Sequence, residues 1–471
     1  MSDWTTYDET RYSNHPYVQT HPDRLAVIAT LHGMKPPAPS RARVLEIGCG
    51  AGANLLALAY ASPEVKAVGI DLAHTAIEEA RTAATEVGIP NADFQHADVM
   101  DIVDGRLGEF DYVISHGVYA WIPPAAREAL LAAVKAHLAP DGIAYVSYNA
   151  HPGGHLRRLL REAALWHSRD ATPGPEQAEK ARELFEFLEI RVAEDPYGGM
   201  LGMEVPVLAA SPQHRLVHDE LSDFWAPVWF ADFARAAAGH GLAYLAEASP
   251  LELWPPTYPD GVQERLAEIS GGDRVAREQY QDLLLFRRFR STMLCHEGVE
   301  VADALVPDTL RTLLFTARAP DEDLPEGLRR RAQILLSDSR PQALPFEELR
   351  AGLGDDVEPE ALLEAIMDAM REFGIGPRVD PPARGLVAGE RPRASALARW
   401  QIARQPEVTT LLHAVVRIDD EAGQTLLGLL DGTRDREQIR RDLAAAGGPE
   451  LAVEQLDVNL RSLGELGLLH D

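Results

Sequence analysis

The stretch Val44-Leu45-Glu46-Ile47-Gly48-Cys49-Gly50-Ala51-Gly52 sets three alternating glycines after an apolar run and before a segment of helical character. Glycine permits a sharp turn and lets a ligand approach the backbone without meeting a Cβ. The start of the following helix offers N–H groups to polar or negative ligand atoms. Carboxylates accompany the glycines: Glu46 two residues ahead of Gly48, Asp71 closing the apolar run Val68-Gly69-Ile70, and Asp98 after Phe94. A carboxylate at the end of a second strand can accept both hydroxyls of a ribose, so the pattern is that of a nucleotide cradle. Gly48, Gly50 and Ala53 also satisfy the dinucleotide fingerprint, which leaves hydride transfer open at this point. Cys49 has no CxxC partner and no histidine close in sequence, so a nucleophilic thiol is not expected.

Two further loops carry reactive side chains. The first holds His116, Tyr119 and Trp121; they can position an amine and face its cationic form, or serve as core aromatics and a helix cap. The second holds Tyr148, Asn149, His151 and His155, which supply hydroxyl, amide and imidazole groups. No metal is expected there, because Pro152, Gly153 and Gly154 interrupt the helix that a histidine pair four residues apart would need.

The elements that must hold these residues alternate in kind. Strands are predicted over 44–47, 67–70, 94–98, 112–115 and 143–148, with helices over 54–60, 73–87 and 125–138 between them, the βαβ pattern of a parallel, doubly wound sheet. A helix over 20–33 precedes them, with Pro22 suited to its first turn and Gly33 to its end. Beyond His151 the pattern turns helical, over 156–167, 177–194, 214–241 and 275–293, with a short strand over 242–248 and an irregular proline-rich segment over 250–260. Near the end, Leu336, Leu349, Leu362, Ile366 and Ile375 shifted by 94 positions land on Leu430, Leu443, Leu456, Leu460 and Leu469. Every position stays apolar, as two tandem helical, winged-helix-like modules would require.

With 471 residues the chain is long enough for about three domains at roughly 150 residues each. Its 46% hydrophobic and 25% charged residues exclude disordered, collagen-like and disulfide-scaffold classes. The formal net charge of −28 disfavours nucleic acid and anionic lipid as partners. Two cysteines, no basic-then-apolar leader and no long apolar stretch lead us to expect a reduced, cytoplasmic protein with no membrane insertion.

The chain resembles the class I S-adenosylmethionine-dependent methyltransferases followed by a methyltransferase regulatory domain, a group that includes the bacterial, rickettsial-type outer-membrane-protein lysine methyltransferases. Several motifs carry the resemblance: Thr20-His21-Pro22-Asp23-Arg24-Leu25, the glycine turn, Val68-Gly69-Ile70-Asp71-Leu72, Ser115-His116-Gly117-Val118-Tyr119 and Ser147-Tyr148-Asn149. Further on come Arg287-Arg288-Phe289-Arg290 and Cys295-His296. The resemblance implies a doubly wound, Rossmann-like α/β core followed by mainly helical accessory domains, the last two winged-helix-like. Its divisions are an N-terminal cap over 1–40, a core over 41–155, an insertion and regulatory domain over 156–300, and modules over 301–390 and 391–471.

The resemblance also implies a cofactor site. Glu46 orients the methionine part of S-adenosylmethionine, Asp71 the ribose and Asp98 the adenine amino group, with Gly48, Cys49, Gly50, Gly52, Leu72, Val99 and His116 beside them and S-adenosylhomocysteine as product. His116, Tyr119 and Tyr148 are the candidate catalytic residues, and Tyr119, Trp121, Asn149 and His151 the candidate substrate contacts. The acceptor it points to is a lysine on a protein or peptide, with accessory domains that bind a polypeptide and can form a homodimer. A small-metabolite or peptide-natural-product acceptor, and a non-catalytic cofactor-binding regulator, are the competing expectations.

Overall fold

The computed structural model describes residues 15–190, 196–222, 224–249, 254, 258–340, 342–381 and 388–470. The first 14 residues and most of the proline-rich segment lie outside the described residues.

The first long helix, Pro22–Leu31, starts where the sequence dictates. Pro22 occupies its first turn, and the His21 side chain caps it by accepting the Asp23 N–H at 3.1 Å. Strands β1 (Arg43–Ile47), β2 (Lys66–Asp71), β3 (Ala92–His96), β4 (Phe110–Ser115) and β5 (Leu138–Asn149) then form the parallel part of one sheet. Strands β6 (Leu242–Glu247) and β7 (Phe289–His296) complete it in the order β3-β2-β1-β4-β5-β7-β6. Alternate residues serve two cores. Val44, Tyr112, Ile114 and Tyr145 meet Leu25 and Ile28 of the first helix. Leu45, Val113, Ala144 and Val146 meet Leu130, Val134 and Phe233 on the other face.

The sheet corrects two expectations. It is mixed rather than wholly parallel, because β7 runs antiparallel to both β5 and β6. The helix expected over 275–293 is instead Arg274–Leu285, closed by Phe286 at φ 49 and followed by β7. The reason is Arg290, which is fully buried and breaks the apolar alternation of a strand. It donates to Asp282 Oδ2 at 2.9 Å and to Glu247 Oε1 at 2.6 Å, and stacks 3.8 Å from the centre of the Phe230 ring. The patterning over 214–241 likewise resolves into a helical turn ending at Glu220 and the helix Phe230–Gly239. A helix over Pro196–Ala209, containing Gly198, Gly199 and Pro206, was not expected.

The 94-residue repeat corresponds to equivalent helices. Leu328–Asp338, Phe346–Leu353 and Pro359–Arg371 match Glu421–Leu429, Arg436–Ala445 and Val453–Glu465, and all ten repeat residues are buried. The first module adds a small sheet of β8 (Leu314–Ala317), β9 (Leu344–Pro345) and β10 (Ile375–Arg378). The second adds a hairpin of β11 (Glu407–Thr409) and β12 (Val415–Arg417). Both modules contact the sheet domain: Val27 and Leu31 enter the core of the first, and Leu397 of the second packs into the sheet's own core. Among the described residues no helix is long and apolar enough to cross a membrane.

Candidate active site

Beyond β1 the chain turns through Gly48, Gly50 and Gly52 at φ of 81°, 54° and 75°, values an L side chain rarely adopts. A Cβ on Gly48 would collide with Val118, and one on Gly52 with Phe94. The turn satisfies its own donors: Gly48 and Cys49 give their N–H groups to Ile70 O at 2.8 and 3.0 Å, and Gly50 gives its N–H to Asp71 Oδ2 at 2.8 Å. The glycines therefore act through shape and clearance more than through free N–H groups. The Cys49 thiol is buried beside Gly69, and burial, reinforced by Asp71 and Glu46, holds it protonated.

Glu46 is buried at the foot of this turn. Its Oε1 accepts from Asn54 Nδ2 at 3.1 Å, while its Oε2 has no partner. Burial, partly offset by Asn54 and reinforced by Asp71, pushes its carboxyl up to about 8. Asn54 Oδ1 in turn accepts from Thr20 Oγ1 at 3.1 Å, Tyr17 N at 3.2 Å and His413 Nε2 at 2.7 Å. Thr20, Tyr17, Asn54 and His413 are not among the site residues expected from the sequence. The first three lie in or beside motifs quoted above, but nothing local to His413 signals its contact.

At the neighbouring strand ends, Asp71 also accepts from Ala73 N at 2.8 Å, and Asp98 Oδ1 accepts from Met100 N at 2.9 Å. Carboxylate oxygens keep lone pairs beyond these bonds. Leu72 and Met100 are 49% and 48% exposed beside them, with Val99 half-buried. The residues present fit S-adenosylmethionine: a buried carboxylate oxygen lacking a donor suits an ammonium, Asp71 suits a ribose, and the exposed apolar side chains suit an adenine ring near Asp98.

His116 packs tilted against Tyr17, with ring centres 4.0 Å apart, and its Nδ1 lies 2.9 Å from Tyr145 Oη and 3.0 Å from Ser147 Oγ. Tyr145 donates its own hydrogen to Ser291 Oγ at 3.1 Å. Ser147 Oγ also accepts from Gly117 N at 2.8 Å, so Nδ1 lies between two hydroxyls while Nε2 makes no hydrogen bond among the described residues. Burial, with His15 nearby, pushes His116 down to about 4, so its ring is neutral.

Tyr119 and Tyr148 do not join His116. They pack against Phe233 on the other face of the sheet, with ring centres at 5.1 and 4.3 Å, and Tyr148 Oη pairs with Thr292 Oγ1 at 3.0 Å. Burial pushes Tyr119 up to about 12. Trp121 and Asn149 meet through Trp225, whose ring centre is 6.1 Å from that of Trp121 and whose Nε1 donates to Asn149 Oδ1 at 3.2 Å. His151 and His155 stack at 3.9 Å although the helix begins only at Gly154, and His151 also meets Trp229. Among the described residues no group of three or more His, Cys, Asp or Glu is arranged to hold a metal.

Comparison with known proteins bears on this geometry. The family described as "Methyltransferase domain" matches residues 44–142, "Predicted methyltransferase regulatory domain" matches 212–296, and "PKMT, C-terminal winged helix domain" matches 390–457. Uncharacterized protein RP789 of Rickettsia prowazekii (strain Madrid E) is 34% identical over 330 residues, 69% of this chain; the chain spans 59% of that relative's length. Uncharacterized protein RP028 of the same organism is 30% identical over 234 residues, 49% of this chain and 93% of RP028. The solved structure of PKMT2 from Rickettsia typhi, also solved in complex with AdoHcy, superposes with a TM-score of 0.84 at 24% identity. The match covers 97% of this chain and 99% of that one, and the shared fold includes the helical and winged-helix modules.

Proposed function

The chain belongs to the family of class I methyltransferases that carry a methyltransferase regulatory domain, and we propose that it transfers the methyl group of S-adenosylmethionine to the side-chain amine of a lysine in a protein. The observation that carries this reading is the buried, unpartnered Oε2 of Glu46 beside the glycine turn, in line with Asp71 and Asp98 at the next two strand ends. When bound, S-adenosylmethionine supplies a methyl on a positively charged sulfur, already activated for in-line displacement. Glu46 receives the ammonium of the methionine part, Asp71 the ribose hydroxyls and Asp98 the adenine amino group, with Leu72 and Val99 against the ring.

A lysine with an ordinary pKa near 10.4 is neutral in only about one molecule in 10³ at neutral pH. Enclosure against Tyr17, His116 and Phe289 takes water from its ammonium form, and the positive sulfur of the bound cofactor would repel that form. In the tautomer with the hydrogen on Nδ1, His116 Nε2 accepts a hydrogen from the neutral amine and directs its lone pair. With its own pKa near 4 it orients the amine and does not store the proton at neutral pH. In this reading Tyr119 and Tyr148 support the loop that carries His116, while Trp121, Asn149 and His151 face the acceptor polypeptide.

The lysine acceptor draws support from the motif resemblance and from the likeness of fold to PKMT2. The same reading takes 1–40 as cap, 41–155 as cofactor core, 156–300 as insertion and regulatory domain, and 301–390 and 391–471 as modules that grip a polypeptide or a second copy of the chain, at work in the cytoplasm. Peptide mapping of an acceptor protein after incubation with enzyme and S-adenosylmethionine tests it: methylated lysines support the reading, and methyl groups confined to small molecules overturn it.

A further inference from the structure

A pocket of about 260 Å³ lies between the helix Pro22–Leu31, β10 of the first winged-helix module and the tip of the β11–β12 hairpin of the second. Val27, Trp254, Ile375 and Leu411 give it apolar walls, and Arg24 and His413 give it two polar groups with unmet needs.

Arg24 is half-buried, its Nε has no partner, and it forms no ion pair among the described residues. The carboxylate next to it in sequence is already engaged. Asp23 accepts from Val379 N and Asp380 N, each at 2.9 Å, and pairs with Arg378 at 3.4 Å. Burial pulls the Arg24 guanidinium down to about 10, as expected of a cation without a counter-ion.

His413 is 4% exposed and sits at φ 59 in the hairpin turn. An amide oxygen can only accept, so the 2.7 Å contact with Asn54 Oδ1 puts the hydrogen on Nε2 and leaves Nδ1 as an acceptor. That Nδ1 is buried and unpartnered. His21, on the same wall, accepts at Nδ1 from Asp23 N, so its Nε2 carries a hydrogen. The walls thus offer donors from Arg24 and His21, one acceptor from His413, and apolar surface between them.

We propose that this pocket is a second ligand site, separate from the cofactor cradle, that takes a small apolar acid carrying one hydrogen-bond donor: the chemistry of an apolar α-amino or α-hydroxy acid. The carboxylate meets Arg24 and His21, the N–H or O–H meets His413 Nδ1, and the apolar body covers Trp254 and Ile375. The inference stands whatever the methyl acceptor is: Arg24, His21 and the Nδ1 of His413 are given no cofactor or acceptor contact, although the other nitrogen of His413 reaches Glu46 through Asn54.

The test is titration calorimetry of the full chain with L-leucine, L-phenylalanine, L-2-hydroxyisocaproate and 4-methylvalerate, the last lacking the donor. Saturable binding of an amino acid, of the hydroxy acid or of both is expected at up to millimolar concentration, and which of them binds identifies the donor. 4-Methylvalerate should bind about tenfold more weakly, the effect of one lost hydrogen bond of about 1.4 kcal/mol. Arg24→Leu should abolish binding while S-adenosylhomocysteine affinity, measured on the same sample as a check of folding, stays within about twofold. Four results overturn the proposal: no saturable binding by any of the acids, equal binding by Arg24→Leu, equal binding of 4-methylvalerate, or displacement of the acid by S-adenosylhomocysteine. Failure of cofactor binding in the parent chain would be a separate result, bearing on the proposed function alone.

Discussion

Glu46→Gln removes the charge at the methionine end of the cradle while keeping its shape. With its carboxyl at about 8, Glu46 is roughly 9% ionised at pH 7 and about 1% ionised at pH 6 in the free protein. An ammonium bound at Oε2 requires the ionised form, so binding lowers this pKa and releases close to one proton at pH 7. The sign follows: S-adenosylhomocysteine affinity rises with pH, about tenfold per unit between pH 6 and 7.5, and levels off near pH 8. Leaving one partner of a buried ion pair unmatched costs about 3–5 kcal/mol. Ionising Glu46 at pH 7 already takes about 1.4 kcal/mol of that, so Glu46→Gln should weaken binding by about 2–3.5 kcal/mol, roughly thirty- to several-hundred-fold. Calorimetry at several pH values, in buffers of different ionisation enthalpy, reads both affinity and proton release. A parent protein with pH-independent affinity, or a Glu46→Gln variant with the parent's pH profile, would refute the reasoning.

Other predictions concern residues whose contacts differ. His116→Phe keeps the ring that packs against Tyr17 but loses both ring nitrogens; kcat should fall about 10²-fold in a methyl-transfer assay with S-adenosylhomocysteine affinity nearly unchanged. Tyr148→Phe loses only the contact with Thr292 and should cost about 0.5–1.5 kcal/mol in denaturant unfolding, with turnover close to the parent's. Arg290→Met leaves Glu247 and Asp282 buried without their cation and should lower stability by about 3–5 kcal/mol, read as an earlier urea midpoint.

Much of the fold was legible because its signals are local. Alternating apolar and helical runs mark β1 to β5, and positive-φ turns need the glycines found at 48, 50 and 52. The 94-residue repeat is visible because two modules of like geometry bury leucines at like positions. Strand β7 was hidden because Arg290 occupies a buried place in a strand. Its charge is matched by Asp282 eight residues away and by Glu247 across the sheet, a pairing that no periodicity reports. The helix Pro196–Ala209 was hidden by Gly198, Gly199 and Pro206, which argue locally against the helix that forms.

The candidate site divides the same way. Glu46, Asp71 and Asp98 come together because parallel strands in the order β3-β2-β1 carry their ends to one edge. His116 is distinguished from Tyr119 and Tyr148 only by which face of the sheet each side chain takes, and the loop's spacing does not encode that. His413 reaches Asn54 across 359 positions through the docking of a separate module, which a reading of local patterns has no means to see.

The most direct test of the central claim is transfer of labelled methyl from S-adenosylmethionine into a bacterial proteome, run beside the same proteome with its lysines chemically blocked. The account predicts label in protein that vanishes on blocking and, with cofactor held below its dissociation constant, falls sharply with Glu46→Gln. Protein label that survives the blocking, or no protein label from enzyme shown separately to bind the cofactor, would contradict it.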